Sequence, residues 1–295
     1  MAMLTDQAQA LRQLVSETKR QSAGRRPSGE RRVRTVAVTS GKGGVGKSSI
    51  AANLAVQLVR MGRRVAVLDG DLGTANLDVI CNVSPSYTLA HVLVGRCRLE
   101  DVIIDAPGGF RLIPGASGLA QIAALGEVER DRILDQMHIA ARDVDLLLVD
   151  AGAGIGPAVL SFATGCDQLL VVTTPEPTAI ADAYAVIKVA HRRRPDVDVR
   201  VLVNMARDDE ESRAVFGRID AVCRRFLDLA PGYAGHVVHD GRVAAAIRQR
   251  VPFVISSPRC DASGCISRLA QKMVRHGADP DQAGLLRRVA GWLSG

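Results

Sequence analysis

Aromatic residues are scarce in this 295-residue chain: 3% in total, with one Trp, three Tyr and five Phe. A nucleic-acid reader built on base stacking needs more than that, so the basic excess alone is a poor argument for nucleic-acid binding. Uninterrupted apolar runs are absent too; none reaches the length of about 18 residues that a membrane-spanning helix needs. The leading MAMLTDQAQALRQLV has no basic stretch ahead of an apolar one, so it does not read as a secretory signal. Cysteine is sparse: six residues, at 81, 97, 166, 223, 260 and 265, scattered through mostly apolar segments. Cys260 and Cys265 have no second pair at metal-ligand spacing, and the set reads as reduced, buried thiols.

What is present is a globular composition with unevenly placed charge. Apolar residues make up 47% and charged residues 23%, enough to bury a core and too apolar for global disorder. At roughly 100–200 residues per domain, the length suits one large α/β domain or two ordinary ones. The formal net charge is +7. Residues 1–34 hold eight basic and three acidic side chains, and residues 259–295 hold six and three, which leaves the 224 residues between them at −1. A near-neutral body with basic ends points to an acidic partner or an anionic membrane surface met by the ends.

Leu4, Ala8, Leu11 and Val15 recur at helical spacing and predict a helix over 5–20. QSAGRRPSGERR (21–32), rich in Gly, Pro, Ser and Arg, then reads as a flexible tether. Five apolar runs follow: TVAVTS (35–40), RRVAVLDGD (63–71), DLLLVDA (145–151), QLLVVTT (168–174) and VRVLVNM (199–205). Strands this apolar are covered on both faces, as in parallel sheets. Helix-like segments accompany them at 50–62, 127–141, 157–163, 176–193 and 209–228. The alternation predicts an α/β fold with a doubly wound, mostly parallel sheet flanked by helices. After residue 250 come the proline-flanked VPFVISSP, a helix near 262–275 and a last helix near 281–293. The expected organisation is an N-terminal helix (1–20), a linker (21–33), the α/β domain (34–277) and a C-terminal amphipathic segment (278–295).

Chemistry enters at Gly41-Lys42-Gly43-Gly44-Val45-Gly46-Lys47-Ser48, followed by Ser49. It satisfies G-x-x-x-x-G-K-[ST] between a predicted strand and a predicted helix. The glycines let backbone N–H groups converge on phosphate oxygens, Lys47 reaches the terminal phosphates, and Ser48 can ligate Mg²⁺. This pattern is a nucleoside triphosphate site. The run DLLLVD places Asp150 at a strand end, where a carboxylate holds Mg²⁺ through water, and Ala151-Gly152-Ala153-Gly154 suits a loop that responds to the terminal phosphate. Asp69 and Asp71 close another strand, beside the crevice in which open α/β sheets bind ligands. Asn204 ends a strand, where the plain reading is a polar cap. No guanine-reading N-K-x-D or T-K-x-D follows it, which favours adenine.

KGGVGKS, with its additional lysine at Lys42, resembles the deviant phosphate loop of the MinD/ParA ATPases, and the resemblance extends over about residues 33–277. It implies that Lys42 reaches across a nucleotide-sandwich homodimer to the partner's phosphates, coupling ATP binding to dimerisation. The stretch from Asp69 to Asp78 resembles the family's D-x-D-x-x-x-x-N-L-D switch. By that resemblance Asp71 orients the attacking water and joins Ser48 and Asp150 around Mg²⁺, while Asp69 serves structure or the Mg²⁺ shell. Asn204 is implied to read the adenine edge. Relatives often carry Ser or Thr where Ala151 stands, so any hydroxyl contact from that position is lost here.

Three further segments narrow the resemblance to the FlhG (FleN, YlxH) family of flagellar-number regulators. They are TTPEPTAIADAY (Thr173 to Tyr184), DAGAGI (Asp150 to Ile155), and Asp6-Gln7-Ala8-Gln9-Ala10-Leu11-Arg12, which matches D-Q-A-x-x-L-R. The family implies a slow, dimerisation-dependent ATPase that controls flagellar number and placement. It also implies that the N-terminal helix, through Asp6, Gln7, Ala8, Leu11 and Arg12, docks on the FlhF GTPase and stimulates it. Flagellar C-ring proteins or a flagellar transcription activator are further implied partners. The last helix sets Leu285, Leu286, Val289 and Leu293 on one face, with Trp292 at its edge and Arg287 and Arg288 beside it. Such a helix lies in a lipid headgroup layer or packs on its own body, and Gly284 and Gly291 weaken it on its own. The family implies that it docks in the monomer and is released on dimerisation, which would place the protein in the cytoplasm, peripheral to the inner membrane face.

Competing expectations differ in partner. A ParA-type DNA partition ATPase would use Arg192-Arg193-Arg194 and Arg224-Arg225 on phosphates, with a steep salt dependence. A MinD-type division-site regulator would not need the tethered N-terminal helix. A nucleotide-gated binding module would dispense with turnover, for which Asp71 and Asp150 argue. An electron-transfer relative such as the nitrogenase iron protein would need a cysteine pair meeting across the dimer axis, and none of the six cysteines matches that role.

Overall fold

The computed structural model describes residues 33–71, 76–93, 95–115 and 144–275. The predicted helices at 5–20, 127–141 and 281–293 and residues 21–32 of the linker lie outside these residues. So do Asp6, Gln7, Ala8, Leu11, Arg12, Leu285, Leu286, Val289, Trp292 and Leu293. Among the described residues, the strands β1 (Arg34–Ser40), β2 (Val65–Asp69), β3 (Ile104–Asp105), β4 (Arg111–Ile113), β5 (Leu146–Ala153), β6 (Gln168–Thr173), β7 (Asp198–Ala206) and β8 (Gly232–Val238) form one sheet. Its order is β3-β4-β2-β5-β1-β6-β7-β8. Every neighbouring pair runs parallel except β3 with β4. The five apolar runs are its central strands, as their double-sided burial requires.

The pleat divides each central strand between two cores. Val36 and Val38 of β1, Leu146 and Leu148 of β5, and Leu170 and Val172 of β6 face one cluster. Ala37, Leu147, Val149, Leu169 and Val171 face the other. The first cluster is closed by α1 (Lys47–Arg60), α8 (Phe253–Ser256) and α9 (Asp261–Arg275). α9 lays Cys265, Ile266, Leu269 and Met273 inward at i, i+1, i+4 and i+8, an amphipathic stripe. α1 is buried almost throughout, between the sheet and α8 and α9, which is why its sequence is apolar on nearly every side. The amide of Asn53, fully buried within it, is satisfied: Asn53 Nδ2 donates to Ser49 O (2.7 Å), and Asn53 Oδ1 accepts from Val254 N (2.9 Å).

The second core is closed by α4 (Pro157–Gly165), α5 (Pro177–Arg193) and α6 (Asp209–Leu227). Pro177 starts α5 at a position whose N–H has no helical partner anyway. Asp208 caps α6 by accepting from Glu211 N at 2.8 Å. The short helix α2 (Leu77–Ile80) places Leu77 in the first core, α3 (Leu89–Leu93) places Val92 in the second, and α7 (Gly241–Arg248) follows β8.

The short strands β3 and β4, the edge strand β8 and the helix α7 go beyond the sequence reading. β3 and β4 span two and three residues, too few for a visible period. β8, GYAGHVV, contains two glycines and buries only Ala234 and Val237, so its pattern is not the near-continuous one of its neighbours. Within the proline-flanked VPFVISSP lies the single turn α8. All six cysteines are unpaired; five are buried and Cys97 is half-buried. Cys260 Sγ lies 3.2 Å from Ser263 Oγ, and Cys265 Sγ accepts from Arg268 at 3.1 Å.

Candidate functional site

The site is assembled at the carboxyl ends of β1, β2, β5, β6 and β7. β1 is the strand from which the chain winds out in both directions, toward β5 and β2 on one side and β6, β7 and β8 on the other. Beyond Ser40 the chain turns through Gly41 to Gly46 and enters α1 at Lys47. Ser40 Oγ braces the turn by donating to Lys42 O at 2.9 Å. Gly46 has φ +85°, and a Cβ there would stand 2.4 Å from Asn204 Nδ2, so conformation and space both demand glycine. A Cβ on Gly41 would strike the backbone of Asp182 in α5 at 2.2 Å.

Two carboxylates meet beside this loop. Asp69 ends β2 and Asp150 lies in β5, and the two are register partners across the parallel pair. Asp69 Oδ2 accepts from the backbone N–H groups of Asn76 and Leu77, both at 3.1 Å, and Oδ1 accepts from Asp71 N at 3.2 Å. These bonds fix the chain that leaves β2. Burial, reinforced by the charge of Asp150, pushes the Asp69 carboxyl up to about 7. These contacts are structural ones.

Asp150 is 1% exposed, and burial pushes its carboxyl upward against the opposing effect of Lys47. Lys47 Nζ lies 2.5 Å from Asp150 Oδ1, 3.2 Å from Ser48 Oγ and 3.8 Å from Asp71 Oδ2. Lys47, Ser48, Asp71 and Asp150, read separately from the sequence, thus form one constellation. Asp150 Oδ2 is buried and has no hydrogen-bond partner. A buried orphan carboxylate oxygen beside a serine hydroxyl and a second carboxylate fits Mg²⁺, which binds proteins through one or two carboxylates together with substrate phosphates. The loop after Asp150 is tied to the phosphate loop: Gly154 N donates to Ser40 O (2.8 Å) and Thr39 Oγ1 to Gly152 O (3.2 Å).

Lys42 stands apart from this group. Its Nζ lies 2.8 Å from Glu176 Oε2 and 3.4 Å from Thr178 Oγ1, in the segment that leads from β6 into α5. The hydrogen bond and charge of Glu176 raise the Lys42 ammonium above its ordinary value. Glu176 and Thr178 were visible only as part of a family-like segment; no spacing rule marks them as the partners of a lysine 134 and 136 residues away. Asn204, at the end of β7, is buried and donates from Nδ2 to Val45 O at 2.8 Å, so it holds the phosphate loop directly. Ser49 faces into α1, its Oγ 3.5 Å from Asn53 Nδ2.

The arginines considered for phosphate contacts divide. Arg194 donates to the carbonyls of Thr164 and Cys166 and pairs with Asp196, and Arg224 pairs with Asp220 at 2.7 Å. Arg192 and Arg193 are exposed, and Arg225 lies over the ring of Phe226. Among the described residues no helix is long and apolar enough to cross a membrane.

Residues 32–92 match the ParA family, described as "NUBPL iron-transfer P-loop NTPase". The chain is 41% identical over 241 residues to the antiactivator FleN of Pseudomonas aeruginosa, covering 82% of this chain and 86% of that protein. It is 37% identical over 217 residues to the flagellum site-determining protein YlxH of Helicobacter pylori, covering 73% of each. Among solved structures, MinD in the MinC:MinD complex of Aquifex aeolicus aligns with a TM-score of 0.69 at 23% identity, over 84% of this chain and 99% of that one. MinD of Pyrococcus horikoshii, complexed with Mg-ADP, aligns with a TM-score of 0.68 at 24% identity, over 82% and 96%. The structural likenesses share the fold of the described body.

Proposed function

The chain belongs to the FleN/YlxH (FlhG) family of MinD/ParA-type P-loop ATPases, and from that membership and its site we propose that it is an ATP-driven switch controlling flagellar number and placement. The observation that carries the reading is the convergence of Lys47, Ser48, Asp71 and Asp150 at the phosphate loop, with Lys42 held separately on Glu176. Backbone N–H groups of Gly43 to Ser48 and the N-terminus of α1 receive the phosphates. Lys47 turns from Asp150 toward the terminal phosphates. Ser48, Asp71 and Asp150 hold Mg²⁺, which supplies charge neutralisation at the phosphates when bound. Asp71 orients the attacking water, and Asn204 positions the base side.

In this proposal Lys42 leaves Glu176 and reaches the phosphates of a second copy, so that ATP joins two chains and hydrolysis separates them. The name of FleN, an antiactivator, suits a partner that activates transcription, and that of YlxH, a flagellum site-determining protein, suits a role in placement. The D-Q-A-x-x-L-R segment is the proposed arm for the FlhF GTPase, through Asp6, Gln7, Ala8, Leu11 and Arg12. Leu285, Leu286, Val289, Trp292 and Leu293, flanked by arginines, are the proposed contact with an anionic membrane.

The test of the arm adds a peptide of residues 1–20 to FlhF and measures GTP turnover. Stimulation of more than about tenfold is expected, since a fully positioned group contributes about 10²–10⁴-fold in proton transfer. The same peptide with Gln7→Ala should stimulate much less. No stimulation by the unaltered peptide would remove the GTPase from this account.

A further inference from the structure

The order of the strands orients a nucleotide on this site. Asp150 of β5 and Asp71 beyond β2 lie to one side of β1, and Lys47 is drawn to both. Terminal phosphates and their cation therefore belong on that side, and the sugar and base extend toward β6 and β7. The end of β6 is taken by the segment in which Glu176 and Thr178 hold Lys42. The end of β7 touches the phosphate loop itself, through the bond from Asn204 Nδ2 to Val45 O.

At that strand end stands Met205. Met205 has φ +57°, a left-handed conformation that is costly for any side chain beyond glycine. The pairing of β7 with β8 shifts register between Asn204 and Ala206, so Met205 sits on a bulge. Bulges of this kind re-aim one side chain and are frequent beside functional sites. Asn204 and Ala206 are buried, whereas Met205 is 42% exposed. Its Cε lies 3.8 Å from where a Cβ on Gly46 would stand, which puts the methyl group over the last glycine of the phosphate loop. His239 N bonds to Ala206 O at 2.8 Å and closes the strand end on its outer side.

An exposed thioether, aimed at the phosphate loop by an otherwise unfavourable backbone, has a surface for a flat ring and no hydrogen bond to offer. We propose that Met205 is a specificity-determining residue whose thioether packs against the face of a purine base. Sulfur–aromatic contact provides the attraction, and the larger purine ring gains more of it than a pyrimidine. The inference rests on reading the phosphate loop as an ATP site.

The test measures Kd by calorimetry for Mg-ATP and for Mg-tripolyphosphate, which carries the phosphates without a base. Wild-type protein is compared with Met205→Ala and Met205→Leu, each first shown to have an unchanged melting temperature. Met205→Ala is expected to weaken ATP about five- to tenfold and leave tripolyphosphate unchanged, with Met205→Leu within about twofold of wild type. Unchanged ATP affinity in Met205→Ala overturns the inference alone. Equal loss of both ligands overturns it as well, because Met205 would then act by holding the loop. Wild-type protein that binds neither ligand overturns the triphosphate-site reading and this inference with it.

Discussion

Lys47→Ala is expected to abolish nucleotide binding and also to unsettle the resting protein. The first effect follows from its place: the Lys47 ammonium ends among Asp150, Ser48 and Asp71, where terminal phosphates and a cation would lie. Loss of that charge should weaken ATP by more than about a hundredfold, as for a buried charge-assisted contact. The second effect follows from burial. Asp150 is 1% exposed and Lys47 is 6% exposed, and one oxygen of Asp150 already lacks a hydrogen-bond partner. Removing one partner of a buried pair costs about 3–5 kcal/mol, because the remaining charge is left uncompensated. The variant should therefore melt well below wild type without nucleotide. The double variant Lys47→Ala/Asp150→Asn should recover much of that stability and none of the ATP binding. Calorimetric binding and thermal unfolding separate the two effects; wild-type ATP affinity in Lys47→Ala would refute the placement of the phosphates.

Asp71→Ala should give the opposite profile, with binding kept and turnover lost. Asp71 is more accessible than Asp150, with a side chain 23% exposed, and is 3.8 Å from Lys47. Its carboxyl carbon lies 3.7 Å from the position of a Gly152 Cβ, at the loop that follows Asp150. A carboxylate at the mouth, between the lysine and a glycine loop, is placed to act on water rather than to anchor phosphates. Loss of a positioned general base lowers rates about 10²–10⁴-fold, so kcat should fall by at least a hundredfold. The affinity for ATP without Mg²⁺ should stay within about threefold of wild type. Ordinary turnover in this variant would sink the proposed role of Asp71.

Much of this was legible in the sequence, for reasons that differ from element to element. The central strands were visible because two-sided burial leaves an apolar run, and the phosphate loop because its glycines, Lys47 and Ser48 are fixed by local geometry. Asp150 was legible from the four apolar residues before it. The edge strand β8 was not, since one covered face and two glycines blur its period. Nor was the partner of Lys42: Glu176 is near it only because β1 and β6 are neighbours in the sheet. The three N–H groups around the Asp69 carboxyl were not legible either, because they come from the irregular path of the chain after β2. Met205 could not be singled out from a strand pattern it interrupts, because the bulge that aims it belongs to the pairing of β7 with β8.

Holding Lys42 on an exposed glutamate has a consequence for the whole switch. The pair is solvent-accessible on both sides, 43% for Lys42 and 63% for Glu176, and contacts of that kind contribute little stability. In the proposed switch, a triphosphate presented by a second copy would displace Glu176 at small cost. The most direct test is the mass of the protein in solution by light scattering, in Mg-ATP and in Mg-ADP, for wild type and Lys42→Ala. Wild type should show twice the monomer mass in ATP and the monomer mass in ADP, and Lys42→Ala the monomer mass in both. Wild-type protein that stays monomeric in saturating ATP, or a Lys42→Ala variant that dimerises as wild type does, would contradict the proposed switch.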